Sequence, residues 1–412
     1  MLFWGVRIAA LAFGAWLVWA GWPIFGLFVA ITSVGHWLLD VLLNRTEPPA
    51  GEAPSDEARA LHARAFVADL HADVCLWNRD HLRRNRRGHV DLPRLHEGNV
   101  GLQFVTMPTK LALSPRMPRL FLSDIFFWGS VLSLEPPTSW LSTPNRARSQ
   151  IHRYRRWVAN SGGALLELRE AGDFAELRQR REKGEKVIGL LLGLEGAHAV
   201  RGSIDVPWLV EQGVSVVGLT HFNDNRFADS AHGWRKRGLH DAGRELVREL
   251  DRSGITIDLA HASTAAIDDV LAMAESGELK RPLIVSHTGL KGVHDHRRNI
   301  ADRQAIAIAE RGGLIGISFF KPALPRSDLD ALGESVSYAI RLLDDAGIDG
   351  ARHVALGSDF DGAVKTIIDA SGWPFITAKL LDVGLSEEQV CAVLGENVMR
   401  FFERNLAVNS DY

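Results

Sequence analysis

Cysteine is almost absent: Cys75 and Cys391 are the two in a chain of 412 residues. A disulfide framework is excluded, and so is a thiolate zinc site built on Cys-x-x-Cys. Any metal must be held by imidazole and carboxylate, and 16 histidines are available for it. An excess of one charge sign is lacking too. The 47 Lys and Arg stand against 50 Asp and Glu, a net charge of −3, which gives no support to nucleic-acid binding. The single basic cluster, Arg79 to Arg87, reads as a solvated loop or an anion-binding rim. Internal repeats and low-complexity tracts are missing as well.

What is present is a globular enzyme's composition, 46% hydrophobic and 24% charged, which excludes intrinsic disorder. At roughly 150 residues per domain the length allows two or three domains, but a single α/β barrel can exceed ~250 residues. One stretch departs from the average. Met1 to Leu43 carries only Arg7 and Asp40 as charges, and five of the twelve tryptophans: Trp4, Trp16, Trp19, Trp22 and Trp37. A membrane span needs about 20 apolar residues, so the stretch holds one long span or two short ones. Gly21-Trp22-Pro23 predicts a turn that splits it into Leu2 to Ala20 and Ile24 to Leu43, with tryptophan at the headgroup level. The stretch is too long for the apolar region of a cleaved signal peptide. Residues 1–45 thus read as a retained transmembrane anchor, a hairpin in preference to a single span; Arg7 and Arg45 flank it evenly and leave its orientation open. Residues 46–60, rich in Pro, Glu, Ala and Ser at their start, read as a linker, and 61–408 as the catalytic domain.

Eight β-branched or aliphatic runs follow: Ala65 to His71, Val100 to Met107, Val187 to Leu194, Val214 to Thr220, Ile255 to Ala260, Pro282 to Ser286, Gly313 to Phe319, and Val354 to Ser358. Continuous apolar runs suit parallel strands buried on both faces, and eight such strands close a (β/α)8 TIM barrel. Leu239 to Arg252, Ala301 to Arg311 and Ala331 to Ala346 have helical spacing. Pro108 to Asn160 reads as an excursion between the second and third strands. Its apolar part, Leu120 to Leu134, is too short for a span and contains Asp124, so it reads as a packed helix.

The strand ends carry the chemistry. They run into His71-Ala72-Asp73, Glu195-Gly196-Ala197-His198, His221, His261, His287 and Asp359-Phe360-Asp361. In a barrel all these ends face one mouth. Each is weak by itself: a lone His is more often a satisfied core or loop residue. Together they imply a site that neutralises buried ionisable groups. Histidines and carboxylates in this number match the nitrogen and oxygen ligands of zinc, and a shared carboxylate could bridge two ions. Two close ions would hold a bridging hydroxide and polarise a carbonyl, the logic of metal-assisted hydrolysis. Asp359 is the natural proton carrier, and His221, if not a ligand, could donate to a developing oxyanion. Arg297-Arg298-Asn299 lies ten positions beyond His287, where a guanidinium could clamp a substrate carboxylate; a solvated loop explains the triplet equally well. His62, His81, His89, His96, His152, His232, His240, His294, His296 and His353 read as surface or supporting residues.

In this order the motifs resemble the membrane dipeptidase (renal dipeptidase) family of zinc peptidases: Asp-Leu-His71-Ala-Asp73, Glu195-Gly-Ala-His198, Leu-Thr-His221-Phe-Asn-Asp-Asn-Arg-Phe-Ala-Asp229, Asp258-Leu-Ala-His261-Ala-Ser263, Ser-His287-Thr, Arg297-Arg298-Asn299 and Gly-Ser-Asp359-Phe-Asp361-Gly. The likeness spans Phe66 to Arg404, and Gly395-Glu-Asn397 with Arg400-Phe-Phe402 is similar to that family's closing helix. The resemblance implies an amidohydrolase-type barrel with two zinc ions that hydrolyses dipeptides, often with a D-residue at the C-terminal position. It implies that His71 and Asp73 bind one zinc, His261 and His287 the other, and that Glu195 bridges them. Asp359 matches the acid/base carboxylate, His221 a contact to the substrate carbonyl, and Arg298 a contact to the substrate's C-terminal carboxylate. Phe320 stands where animal members have a substrate-contacting tyrosine. Animal members are also lipid-anchored at the C-terminus and disulfide-linked, whereas this chain has an N-terminal apolar segment and no matching cysteines. Both departures suit a bacterial member, integral to the inner membrane with the side of its barrel open. The partners expected are a small dipeptide and the membrane, with no nucleic acid; a homodimer is one option for the oligomeric state. Competing readings are another amidohydrolase activity on the same metals, such as N-acyl D-amino acid deacylation or lactam or lactone hydrolysis, and a silent binding module.

Overall fold

The eight apolar runs become eight parallel strands: β1 (Val67–Asp69), β2 (Val100–Pro108), β3 (Ile188–Glu195), β4 (Val214–Gly218), β5 (Thr256–Asp258), β6 (Ile284–Thr288), β7 (Leu314–Ser318) and β8 (Val354–Gly357). The computed structural model describes residues 2–47, 53–112 and 123–406. Each strand pairs in parallel with its neighbour in chain order. The ring is brought nearly to closure by Leu70 N donating to Leu356 O at 3.0 Å and Asp73 N to Phe360 O at 2.8 Å. Every residue of the eight strands is buried, which is why the runs carry no polar alternation. Two glycines let the ring tighten. A Cβ on Gly316 or Gly357 would come within 2.1 or 1.9 Å of the Ser286 carbonyl oxygen, so no side chain fits there.

The helices form where the 3.6-residue spacing places them. Asp241–Arg252 turns Leu246, Val247 and Leu250 inward, and Asp302–Glu310 and Leu329–Asp345 do likewise. Burying each such aliphatic side chain contributes about 1.5–3 kcal/mol. Starts are set by side-chain caps: Ser263 Oγ accepts from Ala266 N at 3.1 Å and Asp328 Oδ1 from Ala331 N at 2.7 Å, each satisfying a free helix-terminal N–H. The excursion after β2 holds three described helices, Ile125–Leu132, Pro137–Trp140 and Thr143–Ala159. The expected Leu120 to Leu134 helix is thus shorter, and residues 120–122 lie outside the described ones.

At the N-terminus two helices, Leu2–Trp19 and Pro23–Leu43, pack against each other and meet at a turn with Gly21 at φ 87°. They touch where side chains are missing: a Cβ on Gly26 would lie 2.4 Å from Gly14 O. Among the described residues no single helix is long and apolar enough to cross a membrane; Pro23–Ile31 and Val34–Leu43, bent by 41°, pass that test as a pair. Trp16, Trp19, Trp22, Ile24 and Phe25 are exposed. The second helix packs on Ile125–Leu132, with Gly35 against Leu132.

Two expectations change, and a third is narrowed. The segment read as linker is structured at both ends: Arg45–Thr46 pairs with Lys365–Thr366, and Asp56–Arg64 is a helix capped by Ser55; residues 48–52 are outside the described ones. The Arg79 to Arg87 cluster is not a solvated loop throughout, because Arg79 is buried between Asp40 and Asp361 and Arg87 pairs with Asp40. Of the histidines read as surface or supporting residues, His62, His81 and His89 are buried and so take the supporting alternative. His62 Nδ1 meets Thr377 Oγ1 at 2.8 Å, and His81 accepts from Arg79 Nε at 3.1 Å.

Candidate active site

The barrel gathers the residues from the strand ends into one buried cluster. Glu195, the last residue of β3, is its centre: Oε1 lies 2.9 Å from His261 Nε2, 3.5 Å from His71 Nε2 and 3.6 Å from His287 Nε2. His71 Nε2 is also 3.7 Å from Asp73 Oδ1 and 4.0 Å from Asp359 Oδ1. His261 and His287 bring their Nε2 atoms to 3.0 Å. Three overlapping groups have ligand atoms spaced for an ion: His71, Asp73 and Glu195; Glu195, His261 and His287; His71, His287 and Asp359. Ligands on a tetrahedral ion with bonds near 2.1 Å stand about 3.4 Å apart, so the observed spacings fit metal ligation. His71 Nε2 and Glu195 Oε2 are buried without a hydrogen-bond partner, as a bare ligand atom would be.

Electrostatics point the same way. Burial, and then the neighbouring carboxylates, push Asp73 and Glu195 well above the ordinary carboxylate range. Burial pushes Asp359 up to about 7, with Arg298 opposing. Burial, reinforced by Arg298 and neighbouring histidines, holds His71, His261 and His287 well below their usual value. Neutral imidazoles facing carboxylates that cannot easily ionise form a site short of positive charge, which a divalent cation supplies.

A second ring of polar groups orients these side chains. Ser286 Oγ donates to Asp258 Oδ2 and lies 2.9 Å from His287 Nδ1. Thr106 Oγ1 donates to Asp73 Oδ1 at 2.7 Å. Asp69, beneath His71, takes bonds from Ser358 Oγ at 2.7 Å and Gln103 Nε2 at 2.9 Å. Such partners fix the direction of a metal ligand.

His221 stands beside the cluster, its Nε2 3.5 Å from Glu195 Oε2. Its Nδ1 lies 3.2 Å from the Lys110 carbonyl, which can only accept, so the ring proton sits on Nδ1. Neutral His221 therefore offers a lone pair to the site. Donation to an oxyanion requires the imidazolium, which burial disfavours by pulling its pKa down to about 4. Arg298 is also buried in the cluster: Nη2 donates to His287 O at 2.7 Å, Nε has no hydrogen-bond partner, and the guanidinium carbon lies 5.9 Å from the Phe320 ring. Besides His221, two strand-end residues stay out of the metal groups. His198 is half-buried, with its Nε2 atom buried and unpartnered, and Asp361 binds Arg79 and His89.

His232 and His296, read from the sequence as surface or supporting residues, stand beside the cluster. His232 stacks on Phe222 at 4.4 Å and lies 6.2 Å from His261 and 6.4 Å from His296, ring to ring. No strand end announces them; only their place in the loops after β4 and β6 could have.

A parallel barrel whose carboxyl-terminal mouth gathers imidazoles and carboxylates at ligand spacing defines a metal-dependent hydrolase of the α/β-barrel class. The family described as Membrane dipeptidase (Peptidase family M19) matches residues 55–411. The dipeptidase verJ of Clonostachys rogersoniana is 30% identical over 329 residues, 78% of this chain and 77% of that protein. The dipeptidase aclJ of Aspergillus oryzae is 29% identical over 362 residues, 82% and 77% of the two chains. Among solved structures, a metallopeptidase from Rhodobacter sphaeroides, liganded with a phosphinate mimic of the dipeptide L-Ala-D-Ala, superposes with a TM-score of 0.67 at 23% identity, over 83% of this chain and 99% of that one. An amidohydrolase from Pseudomonas aeruginosa gives 0.64 at 21%, over 85% and 99%. The chain belongs to the membrane dipeptidase family, peptidase family M19, and is a metallo-dipeptidase.

Proposed function

We propose that this protein is a dinuclear zinc dipeptidase, with His71 and Asp73 holding one ion, His261 and His287 the other, and Glu195 shared. The observation that carries the reading is the single oxygen, Glu195 Oε1, within 2.9 to 3.6 Å of three histidine Nε2 atoms. Zinc bound there supplies an acidified water and a polarised scissile carbonyl. The protein's own groups do the rest. Asp359, poised near neutrality, takes the proton from the attacking water and passes it to the leaving amine. Arg298 binds the dipeptide's C-terminal carboxylate through guanidinium N–H groups not used on His287. His221 faces the substrate carbonyl, to which it donates only when protonated, a form that burial disfavours. Phe320 walls the Arg298 side with an apolar ring, without a hydroxyl.

Acceptance of a D-residue at the C-terminal position is supported by the ligand of the Rhodobacter protein, a mimic of L-Ala-D-Ala. Tryptophans exposed around the turn between the N-terminal helices support our placing of this segment as a membrane anchor, which we assign to a bacterial inner membrane; crossing as a hairpin would return the barrel to the side of the N-terminus. The test is a turnover screen of the full-length protein over L,L, L,D and D,D dipeptides with N-acyl amino acids alongside. Cleavage of free dipeptides, L,D among them, is the expected result. Turnover confined to N-acyl amino acids would replace the reading with a deacylase.

A further inference from the structure

Asp40 is the one acidic residue between Met1 and Leu43, and it is fully buried. A carboxylate on an apolar helix is costly unless it is paired. Its partners come largely from the barrel domain. Arg79 Nη1 donates to Asp40 Oδ1 at 3.1 Å and Oδ2 at 3.4 Å, Arg87 Nε donates to Oδ2, and Asn44 Nδ2, one turn on, donates to Oδ1 at 2.9 Å. Arg79 then turns Nη2 onto Asp361 Oδ2. One buried guanidinium thus joins the N-terminal helix to the segment that follows β8, two residues beyond Asp359.

That segment is strained. Asp359, Asp361 and Ala363 have φ of 63°, 60° and 59°, left-handed conformations that non-glycine residues keep only where the surroundings hold them. The barrel supplies part of the hold: Asp73 N donates to Phe360 O at 2.8 Å, Asp361 N to His89 Nδ1 at 2.9 Å, and His89 N to Asp361 Oδ1 at 2.7 Å. The N-terminal helix supplies the remainder, through Asp40 and Arg79 on Asp361 and through Asn44 Oδ1, which accepts from Ala363 N at 2.9 Å. Immediately after, Arg45–Thr46 runs alongside Lys365–Thr366.

We infer that the helix Pro23–Leu43 is part of the catalytic apparatus: by tying down Asp361 and Ala363 it fixes the left-handed segment that presents Asp359, so Asp40, Asn44 and Arg79 are positioning residues. The inference rests on the reading of Asp359 as the proton-transfer group. An apolar helix acting as a tether alone would need no buried carboxylate aimed at the mouth.

The test compares full-length Asp40→Asn, Asn44→Ala and Asp359→Asn with the parent protein in detergent, reading kcat and KM, zinc content, thermal midpoint, and hydrogen exchange of the peptide spanning 357–366. Asp40→Asn is expected to lower kcat about tenfold or more, as misplacement of a reacting group does, and to speed exchange in that peptide. KM should stay within about twofold, since the dipeptide's carboxylate contact is untouched, and zinc should remain bound. Leu38→Ala, an exposed position on the same helix, should change none of these. Unaltered kcat and exchange in Asp40→Asn would overturn the inference, and so would a loss of activity that tracks loss of zinc and of the thermal midpoint. Asn44→Ala is read in the same way and decides if Asp40→Asn does not fold. The two readings separate: normal turnover by Asp359→Asn removes the proton-transfer role itself, whereas an inactive Asp359→Asn beside an unaffected Asp40→Asn removes the helix's part alone.

Discussion

Glu195 Oε1 approaches His261 Nε2 to 2.9 Å, two uncharged-favouring groups pressed together in a site that burial makes hostile to either ion alone. The contact is the mark of a ligand pair waiting on a shared cation. One Glu195 oxygen reaches both halves of the cluster, His71 in one and His261 and His287 in the other.

Glu195→Gln should therefore remove metal from both halves. Zinc content is expected to fall below one ion per chain, and turnover by at least about a hundredfold. Elemental analysis of the dialysed protein checks this; full occupancy in the variant would remove Glu195 from the bridging position.

Asp359→Asn separates proton transfer from metal binding. Although Asp359 Oδ1 is 4.0 Å from His71 Nε2, the other ligands suffice to hold the ions. Turnover should drop by about 10² or more with zinc retained, read from kcat beside metal content.

Arg298 should report on the substrate's carboxylate. Arg298→Ala is expected to raise KM for free dipeptides by about 10- to 100-fold, the worth of a hydrogen bond to a charged group, and to leave C-terminal amides unaffected. Arg298→Lys should not restore binding, because a point charge cannot replace the fork that also reaches His287 O. Steady-state kinetics on a matched acid and amide pair decide it.

Zinc affinity should rise with pH. Asp73 and Glu195 are held above the ordinary carboxylate range, so without metal they keep protons that binding must expel. Mass action then strengthens binding as protons become scarce, by about tenfold per pH unit for each proton displaced. Competition titrations near about pH 6 and 7 measure the slope, and equal affinities at both would contradict the protonated metal-free site.

Phe320→Tyr would place a hydroxyl beside the Arg298 guanidinium, now 5.9 Å from the ring centre. Being small and near the mouth, it should shift KM among dipeptides by a few fold and keep the stability within about 1.5 kcal/mol of the parent. A dipeptide panel and a melting curve check both parts.

The barrel was legible because strands buried on both faces leave continuous apolar runs, and the site because six of the eight runs lead into His or a carboxylate. All eight strands lie where those runs lie, with β1 and β5 cut the most. Long-range pairing was not legible. Nothing local tells that Asp40 meets Arg79, 39 positions away, nor that the Lys110 carbonyl sets the proton on His221. His232 and His296 could be read only as surface or supporting residues, because they sit in loops, where spacing carries no face.

The most direct measurement of the central claim is a zinc titration of chelator-stripped full-length protein, following bound zinc and hydrolysis of an L,D dipeptide together. The account predicts saturation at two ions per chain, with activity completed by the second. Saturation at one ion or fewer, or no dipeptide hydrolysis at saturation, would contradict it.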